Sequence, residues 1–140
     1  MSNSDRPLVL VVDDEAKIRE IERRVLEQGG YRVMEAAGGL EAIAMLQEGL
    51  ALDLLIADLD MPELTGEEMV RRIHQVRPHL KVLYVTGNID RLLDVRSLVW
   101  EGEAFLDKPF TPTGLLEAVS LLITGRLEGA SDPAGIRRSR

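Results

Sequence analysis

The sequence predicts an α/β domain in which helices cover both faces of a parallel β-sheet. Five apolar runs, each about five residues long, alternate with five segments in which apolar residues recur at helical spacing. Two of the runs, VLVV at 9–12 and LLIA at 54–57, are apolar throughout, as strands buried on both faces should be. In the first helical segment, Ile18, Ile21 and Val25 predict the buried stripe. The alternation leaves the order of the strands open.

Turn and cap residues mark the boundaries of the elements. The glycine pair at 29–30 ends the first helix. Thr65 and Glu68 have the spacing of a capping box, and TP at 111–112 places a cap before a proline at the first helical position. The predicted strands are 8–12, 31–35, 53–57, 81–85 and 103–107, and the predicted helices are 15–28, 38–48, 65–76, 89–100 and 112–124.

The composition predicts one domain with an ordinary core. The chain has 140 residues, of which 45% are hydrophobic. It has no apolar run of roughly 18 residues or more that would predict a membrane span, and the leading MSNSDRP has no apolar signal region. The lack of cysteine excludes disulfides and thiolate metal or redox chemistry, and is typical of cytosolic proteins. We therefore expect a cytoplasmic location without membrane insertion.

The negative charge is unevenly distributed along the chain. The net charge is −7, and residues 126–140 hold four arginines against Glu128 and Asp132, which gives that segment +2 and leaves −9 on residues 1–125. An acidic domain lacks the basic footprint that nonspecific nucleic-acid binding requires, so no direct contact with nucleic acid is expected. Residues 126–140 are also rich in Gly, Ala, Ser and Pro, which predicts a flexible basic tail or linker; a basic contact site is the alternative.

Polar side chains stand where four of the predicted strands end. They are Asp13 and Asp14 for the first strand, Asp58 for the third, Thr86 for the fourth and Lys108 for the fifth. Because ligands of such folds bind beyond the carboxyl ends of the strands, we expect these side chains to share one site. Each has an ordinary alternative taken alone, such as capping of the first helix by the aspartate pair or a solvated surface charge for Lys108.

Three carboxylates at one edge of a sheet need a compensating cation. Two like charges about 4 Å apart repel by on the order of 4 kcal/mol at an effective dielectric constant of about 20. Hard oxygen ligands suit Mg²⁺ rather than zinc. A carboxylate can attack phosphorus to give an aspartyl phosphate, while a metal and an ammonium group compensate the charge on the phosphoryl oxygens. The strand ends therefore supply the groups needed to transfer a phosphoryl group to an aspartate.

Four segments closely resemble the receiver domain of bacterial two-component response regulators of the chemotaxis-regulator type. They are VVDDE at 11–15, LLIADLDMPELTG at 54–66, VTG at 85–87 and FLDKPF at 105–110. The resemblance covers residues 7–125 and leaves 126–140 as the tail. It implies a flavodoxin-like (βα)5 fold, a three-layer sandwich whose five-stranded parallel sheet has the order 2-1-3-4-5.

The resemblance also implies a role for each matched acid and for the lysine. Asp58 would be the phosphoacceptor. Asp14 and Asp58 would ligate Mg²⁺ together with the backbone carbonyl of Asp60, and Asp13 would belong to the metal site through a bound water. Lys108 would contact the phosphoryl group and would pair with Asp58 before phosphorylation.

Further matched positions concern switching and tuning. Thr86 would move toward the phosphate, and Phe105 would be the switch aromatic that packs inward when Thr86 shifts. The peptide bond before Pro109 would be cis, which is uncommon even for proline. Asp60 and Asn88 stand where members of the family modulate the lifetime of the phosphate, so we expect Asp60 to change that lifetime, with a direction that the sequence leaves open.

The implied function is a phosphorylation-controlled switch in a two-component system or phosphorelay. The domain would accept a phosphoryl group from a histidine kinase or a histidine phosphotransfer protein. It would be a signalling domain rather than an enzyme, although it would catalyse its own phosphorylation and dephosphorylation. We expect a partner or homodimer face on helix 4, strand 5 and helix 5, with ordinary core packing as the alternative. The residues that indicate this face are Leu92, Leu93, Val95, Leu98, Val99, Trp100, Ala118 and Leu121.

Other readings stay open beside the switch. The chain could be a stand-alone regulator or a receiver excised from a hybrid histidine kinase, because GEAFLDKPFTPTGLLEAV at 102–119 resembles receivers of such kinases. A receiver-like module that binds partners without phosphorylation is the alternative function. A Mg²⁺-dependent phosphatase of the haloacid dehalogenase type would also use a DLD motif, but that family places it on the first strand of a longer chain.

Overall fold

A six-stranded sheet forms the centre of the computed structural model, which describes residues 6–88, 90 and 103–125, together with the backbone of 136–138. The strands are β1 Leu8–Val12, β2 Arg32–Ala36, β3 Leu54–Asp58, β4 Lys81–Thr86, β5 Glu103–Asp107 and β6 Ile136–Arg138. The helices, numbered along the described residues, are α1 Ala16–Gln28, α2 Gly39–Gln47, α3 Gly66–Val76 and α4 Pro112–Thr124.

The strand order is β2-β1-β3-β4-β5-β6. The first five strands are parallel to their neighbours, which confirms the predicted flavodoxin-like sheet with the order 2-1-3-4-5. Strands β1, β3, β4 and β5 are consecutive neighbours in this parallel sheet. The four strand ends that carry the polar residues are therefore brought to one edge.

Two apolar cores make the domain a three-layer sandwich. Alternate residues of β3 point to opposite faces, as the period of two in a strand requires. Leu55 belongs to the core that also contains Met69 of α3, whereas Ile56 belongs to the core that contains Leu26 of α1 and Leu115 of α4. These two cores cover both faces of the sheet beneath the edge where the polar residues lie. None of the described helices combines the length and the apolar character needed to cross a membrane.

The predicted buried stripe of α1 is only partly confirmed: Val25 packs against the core that contains Leu26, but Ile21 does not face it. Ile21 is 52% exposed, whereas Glu22 is 1% exposed and Leu26 is fully buried. Glu22 and Leu26 are one helical turn apart and therefore share a face. The apolar pattern misled the prediction because a glutamate occupies a position of the helix that faces the core.

The predicted output face is only partly within the described residues. The fourth predicted helix, 89–100, lies outside them except for residue 90, and with it Leu92, Leu93, Val95, Leu98, Val99 and Trp100. The fifth predicted helix is α4 of the structure. On it, Ala118 and Leu121 are 0% and 6% exposed, so the expectation that they add apolar surface outside the core was wrong. Both belong to a helix that is buried over most of its length.

The tail predicted to be flexible contributes a strand to the sheet. Ile136–Arg138 pairs antiparallel with β5, with Leu106 opposite Ile136 and Ala104 opposite Arg138. Three residues are too few for a periodic pattern in the sequence. The strand forms through the backbone, because β5 would otherwise be an edge of the described sheet with unpaired N–H and C=O groups.

Candidate functional site

The carboxylates expected at the strand ends do lie together. One oxygen from each of Asp13, Asp14 and Asp58 falls within 4.8 Å of the others. Asp13 and Asp58 are 1% and 4% exposed, whereas Asp14 is exposed. Nζ of Lys108 lies 3.1 Å from Oδ2 of Asp13 and 3.6 Å from Oδ1 of Asp58. One cation is therefore shared by two buried carboxylates, and the cluster keeps a net negative charge.

The donor set fits a hard divalent cation. The three side chains offer only carboxylate oxygens, which suit Mg²⁺ and leave space in its coordination shell for water or phosphate oxygens. Asp60, whose backbone carbonyl was expected to be a further ligand, is the second residue of the loop between β3 and α3. Its backbone N–H donates to Oδ1 of Asp58 over 3.2 Å, so the loop turns back over the strand end that carries Asp58.

The charge of the cluster changes the pKa of two of its members. Burial and the neighbouring carboxylate of Asp13 raise the pKa of Asp58 to about 7, against the opposing effect of Lys108. Burial by itself would lower the pKa of Lys108, but the carboxylates of Asp58 and Asp13 outweigh it and raise that pKa. Without a metal, the site therefore holds one carboxyl group that titrates near neutral pH.

A close approach between α3 and β3 fixes the position of Asp58. The N–H of Gly66 donates to the carbonyl of Leu59 over 3.1 Å, and Thr65 caps the helix by accepting from the N–H of Glu68. A Cβ atom at Gly66 would lie 2.3 Å from the carbonyl oxygen of Asp58. Any side chain there would have to push the strand end away, so the glycine is required by the contact.

Arg19 holds the loop that carries Asp13, although no feature of the sequence singled it out. Its Nη1 atom donates to the carbonyl of Asp13 over 2.6 Å, and its Nε atom lies 3.2 Å from Oε1 of Glu35. The carboxylate of Asp13 accepts from the N–H of Glu15, the N-cap residue of α1, and that helix has no side-chain cap bond. Asp13 therefore orders the loop rather than capping the helix.

Thr86, at the end of β4, is connected to the loop after β3. Its hydroxyl donates to Oδ2 of Asp60 over 3.1 Å and accepts from the backbone N–H of Asn88 over 3.1 Å. Thr86 is 2% exposed, whereas Asp60 is exposed. The Asp60 side chain thus joins two of the strand ends that form the site.

Phe105 packs inside the domain. It is 2% exposed, and its ring stacks on that of Tyr84 with centroids 5.2 Å apart. The hydroxyl of Tyr84 donates to Oε2 of Glu103 over 3.4 Å. The peptide bond between Lys108 and Pro109 is cis, as expected from the sequence.

Glu22 is a titratable group near the site that the sequence reasoning missed. Its Oε2 atom has no hydrogen-bond partner among the described residues. Burial, followed by the charge of Asp13, raises the pKa of Glu22 to about 8, while Lys108 opposes the shift. Its position one helical turn before Leu26 was the available signal, but a glutamate is normally expected on the solvent face.

Comparisons with known proteins agree with this geometry. The family model described as response regulator receiver domain matches residues 9–120. The chain is 33% identical over 117 residues to the sensor kinase CckA of Brucella abortus, covering 82% of this chain and 12% of that protein. It is 28% identical over 116 residues to the response regulator SaeR of Staphylococcus aureus, covering 83% of this chain and 50% of that protein. The chain thus spans half or less of these curated relatives.

A solved structure of a similar protein contains Mg²⁺ and BeF. The response regulator TrrA of Thermotoga maritima, determined in complex with Mg²⁺-BeF, superposes with a TM-score of 0.75 at 32% identity, covering 83% of this chain and 98% of that one. With a family model matching most of its length, and with the sheet order and the acidic cluster described above, this chain belongs to the response regulator receiver domain family.

Proposed function

We propose that this chain is a phosphorylation-controlled signalling switch that accepts a phosphoryl group on Asp58 in the presence of Mg²⁺. The donor is a histidine kinase or a histidine phosphotransfer protein, and the location is the cytoplasm. The observation that carries the proposal is the position of the Lys108 ammonium, 3.1 Å from Asp13 and 3.6 Å from Asp58 at the carboxyl edge of the sheet. The proposal is supported because a carboxylate that can act as a nucleophile, an ammonium group and further carboxylates suited to a metal lie close together.

The transfer forms one bond and breaks one bond. A carboxylate oxygen of Asp58 attacks phosphorus, the new O–P bond forms, and the bond from phosphorus to the donor's histidine nitrogen breaks with its electron pair left on nitrogen. Lys108 favours the ionised form of Asp58 and lies where it can compensate charge on the phosphoryl oxygens. Mg²⁺, held by Asp13, Asp14 and Asp58, would supply the remaining positive charge.

Return to the resting state uses the same residues. A water oxygen attacks phosphorus, a new O–P bond forms as the O–P bond to Asp58 breaks, and the protons of the water are lost to the released inorganic phosphate and to solvent. The carboxylate of Asp58 is thereby restored. Thr86 lies at the neighbouring strand end, where its hydroxyl can donate to a phosphoryl oxygen. When Thr86 shifts toward the phosphoryl group, Phe105 packs inward as the switch aromatic. These movements change the surface at β5 and α4 and thereby the affinity for a partner. A second copy of the chain is one such partner.

Intact-mass measurement after reaction with a small phosphodonor tests the proposal. The purified chain is incubated with acetyl phosphate and Mg²⁺, with Asp58→Asn and Asp53→Asn examined in parallel. Asp53 accepts a hydrogen bond from Leu8, at the opposite end of the strands, and asparagine keeps that acceptor. We expect one added phosphoryl group in the wild type and in Asp53→Asn and none in Asp58→Asn.

The outcomes separate the proposed switch from a binding module without phosphorylation. Equal labelling of Asp58→Asn and the wild type would place the acceptor elsewhere. No labelling by acetyl phosphate or by a phosphorylated histidine phosphotransfer protein, in a folded chain that binds Mg²⁺, would favour the module that signals by binding alone. Sedimentation with and without Mg²⁺ and beryllofluoride, at several concentrations, tests whether the second copy is a partner.

A further inference from the structure

The hydroxyl of Thr86 is already engaged in this structure. A threonine hydroxyl has one hydrogen to donate and two lone pairs that accept. The hydrogen is directed to Oδ2 of Asp60, 3.1 Å away, while the carbonyl of Asn88 lies at the longer distance of 3.5 Å. The acceptor at Asp60 is a carboxylate, and hydrogen bonds to ionised acceptors are stronger than neutral ones. Thr86 therefore has no second hydrogen for another ligand.

Asp60 also contacts Asp58, the proposed phosphoacceptor. Its backbone N–H contacts Oδ1 of Asp58, and its side chain reaches Thr86. The side chain thus stands between the end of β3, where a phosphoryl group would be attached, and the end of β4. A phosphoryl group on Asp58 would bring additional negative charge and three strong acceptor oxygens to this place. The carboxylate of Asp60 competes with those oxygens for the same hydrogen.

We propose that the hydrogen bond between Asp60 and Thr86 holds the switch in its resting arrangement, so that Asp60 is a positioning residue that opposes occupation of the site by a phosphoryl group. The inference rests on the proposed function, and it supplies the direction in which Asp60 acts. The bond stabilises the empty state and is lost when Thr86 turns to a phosphoryl oxygen. Removing the carboxylate lowers the cost of that step.

Beryllofluoride serves here as a stable substitute for the phosphoryl group. Its affinity in the presence of Mg²⁺ measures this competition at equilibrium, because no aspartyl phosphate is formed that could be hydrolysed during the titration. The dissociation constant is obtained by calorimetric titration at saturating Mg²⁺ for the wild type, Asp60→Ala, Thr86→Ala and the double variant. We expect Asp60→Ala to bind about fivefold more tightly than the wild type, because a hydrogen bond to a charged group no longer has to be broken. In the Thr86→Ala background, the same change should alter affinity less than about twofold.

Two controls separate the hydrogen bond from charge alone. Asp60→Asn keeps an oxygen that can accept from Thr86 but removes the charge, so its affinity should lie between the wild type and Asp60→Ala. Glu63→Gln removes a charge from an exposed residue of the same loop and should leave the affinity unchanged. The Mg²⁺ dissociation constant is measured separately for every variant, because the backbone carbonyl of Asp60 is an expected metal ligand.

The comparison of the wild type, the two single variants and the double variant is a double-mutant cycle. Its result distinguishes failure of this inference from failure of the proposed function. An equal effect of Asp60→Ala with and without the Thr86 hydroxyl would overturn the inference, since charge repulsion alone would then explain it. Weaker beryllofluoride binding by Asp60→Ala at unchanged Mg²⁺ affinity would do the same. If the folded wild type bound Mg²⁺ but no beryllofluoride, the phosphoacceptor function itself would be wrong, and this inference with it.

Discussion

The ammonium of Lys108 lies closer to Asp13 than to Asp58, at 3.1 Å against 3.6 Å. The family resemblance implied a pair between Lys108 and Asp58, and the structure contains that pair beside the shorter contact with Asp13. The observed arrangement divides one positive charge between two buried carboxylates. Burial and the neighbouring charge of Asp13 outweigh this shared cation, so the pKa of Asp58 stays raised. A second cation is needed to neutralise the negative charge that Lys108 leaves on the cluster of three carboxylates.

Replacing Lys108 by methionine should lower the rate of phosphorylation by acetyl phosphate about a hundredfold. The reason is the loss of a fixed positive charge beside the phosphoryl oxygens, which typically costs this much when one stabilising group is removed. The rate is followed by intact mass against time at saturating Mg²⁺. Lys81→Met is the matched control, because Nζ of Lys81 contacts the carbonyl of Ile123 at the other end of the sheet. Equal rates for the two variants would exclude Lys108 from the chemistry.

Gly66→Ala should destabilise the domain by about 2 kcal/mol and weaken Mg²⁺ binding together with it. The added Cβ would lie 2.3 Å from the carbonyl oxygen of Asp58 and 2.9 Å from Cα of Leu59, so the strand end must move, and overpacking of this kind costs about 1–3 kcal/mol. Urea denaturation gives the free energy of unfolding, and calorimetry gives the metal affinity.

Gly38→Ala is the control for this change. Gly38 precedes α2, its φ of −173° is extended backbone, and nothing lies within 4 Å of a Cβ built there. It should cost less than about 1 kcal/mol and should leave Mg²⁺ binding intact. If both alanine variants had the same stability and metal affinity, the contact between Gly66 and Asp58 would not position the site.

Addition of Mg²⁺ should raise the unfolding temperature by several degrees. A ligand that binds only the folded state at about 100 times its dissociation constant stabilises by about 2.7 kcal/mol. Thermal melts at pH 8 with and without Mg²⁺ measure the shift. It should be much smaller for Asp14→Asn, which removes one of three clustered carboxylates, and unchanged for Asp53→Asn. No shift in the wild type would contradict the metal site.

The parts of the structure that the sequence predicted are those that depend on local pattern. Strand β1 and helix α4 have the predicted bounds, because apolar runs, Thr111 and Pro112 specify them locally. The three carboxylates and Lys108 could be expected together because parallel strands end at one edge. Which of the two carboxylates Lys108 approaches more closely depends on side-chain geometry, which a sequence pattern does not contain.

The features that the sequence did not predict are long-range or contrary to residue type. Strand β6 pairs with β5 through its backbone, and the paired residues Leu106 and Ile136 are thirty positions apart along the chain. A strand of three residues is too short to show a periodic pattern. Arg19 contacts a backbone carbonyl, which any sequence provides. Glu22 is a charged residue type at a buried position, so the ordinary preference of glutamate for the surface pointed the wrong way.

Glu22→Gln should flatten the dependence of stability on pH in the absence of metal. The pKa of Glu22 is raised to about 8 and that of Asp58 to about 7. The folded state therefore keeps protons that the unfolded state releases above about pH 4, so the free energy of unfolding falls as pH rises from about 5 to 8. For Glu22, this fall is on the order of 3 kcal/mol, and glutamine, which does not titrate, removes it. Urea denaturation in EDTA at four pH values measures the slope.

Glu20→Gln is the matched control, because Glu20 lies on the same helix with a partly exposed side chain and pairs with Arg24 one turn later. Its curve should run parallel to that of the wild type. The fall that is left in Glu22→Gln belongs mainly to Asp58, and saturating Mg²⁺ should remove most of it, because the metal favours the ionised carboxylate. Parallel curves for Glu22→Gln and the wild type would show that Glu22 is ionised at every pH tested, and hence that the buried carboxyl finds compensation that its surroundings in this structure do not provide.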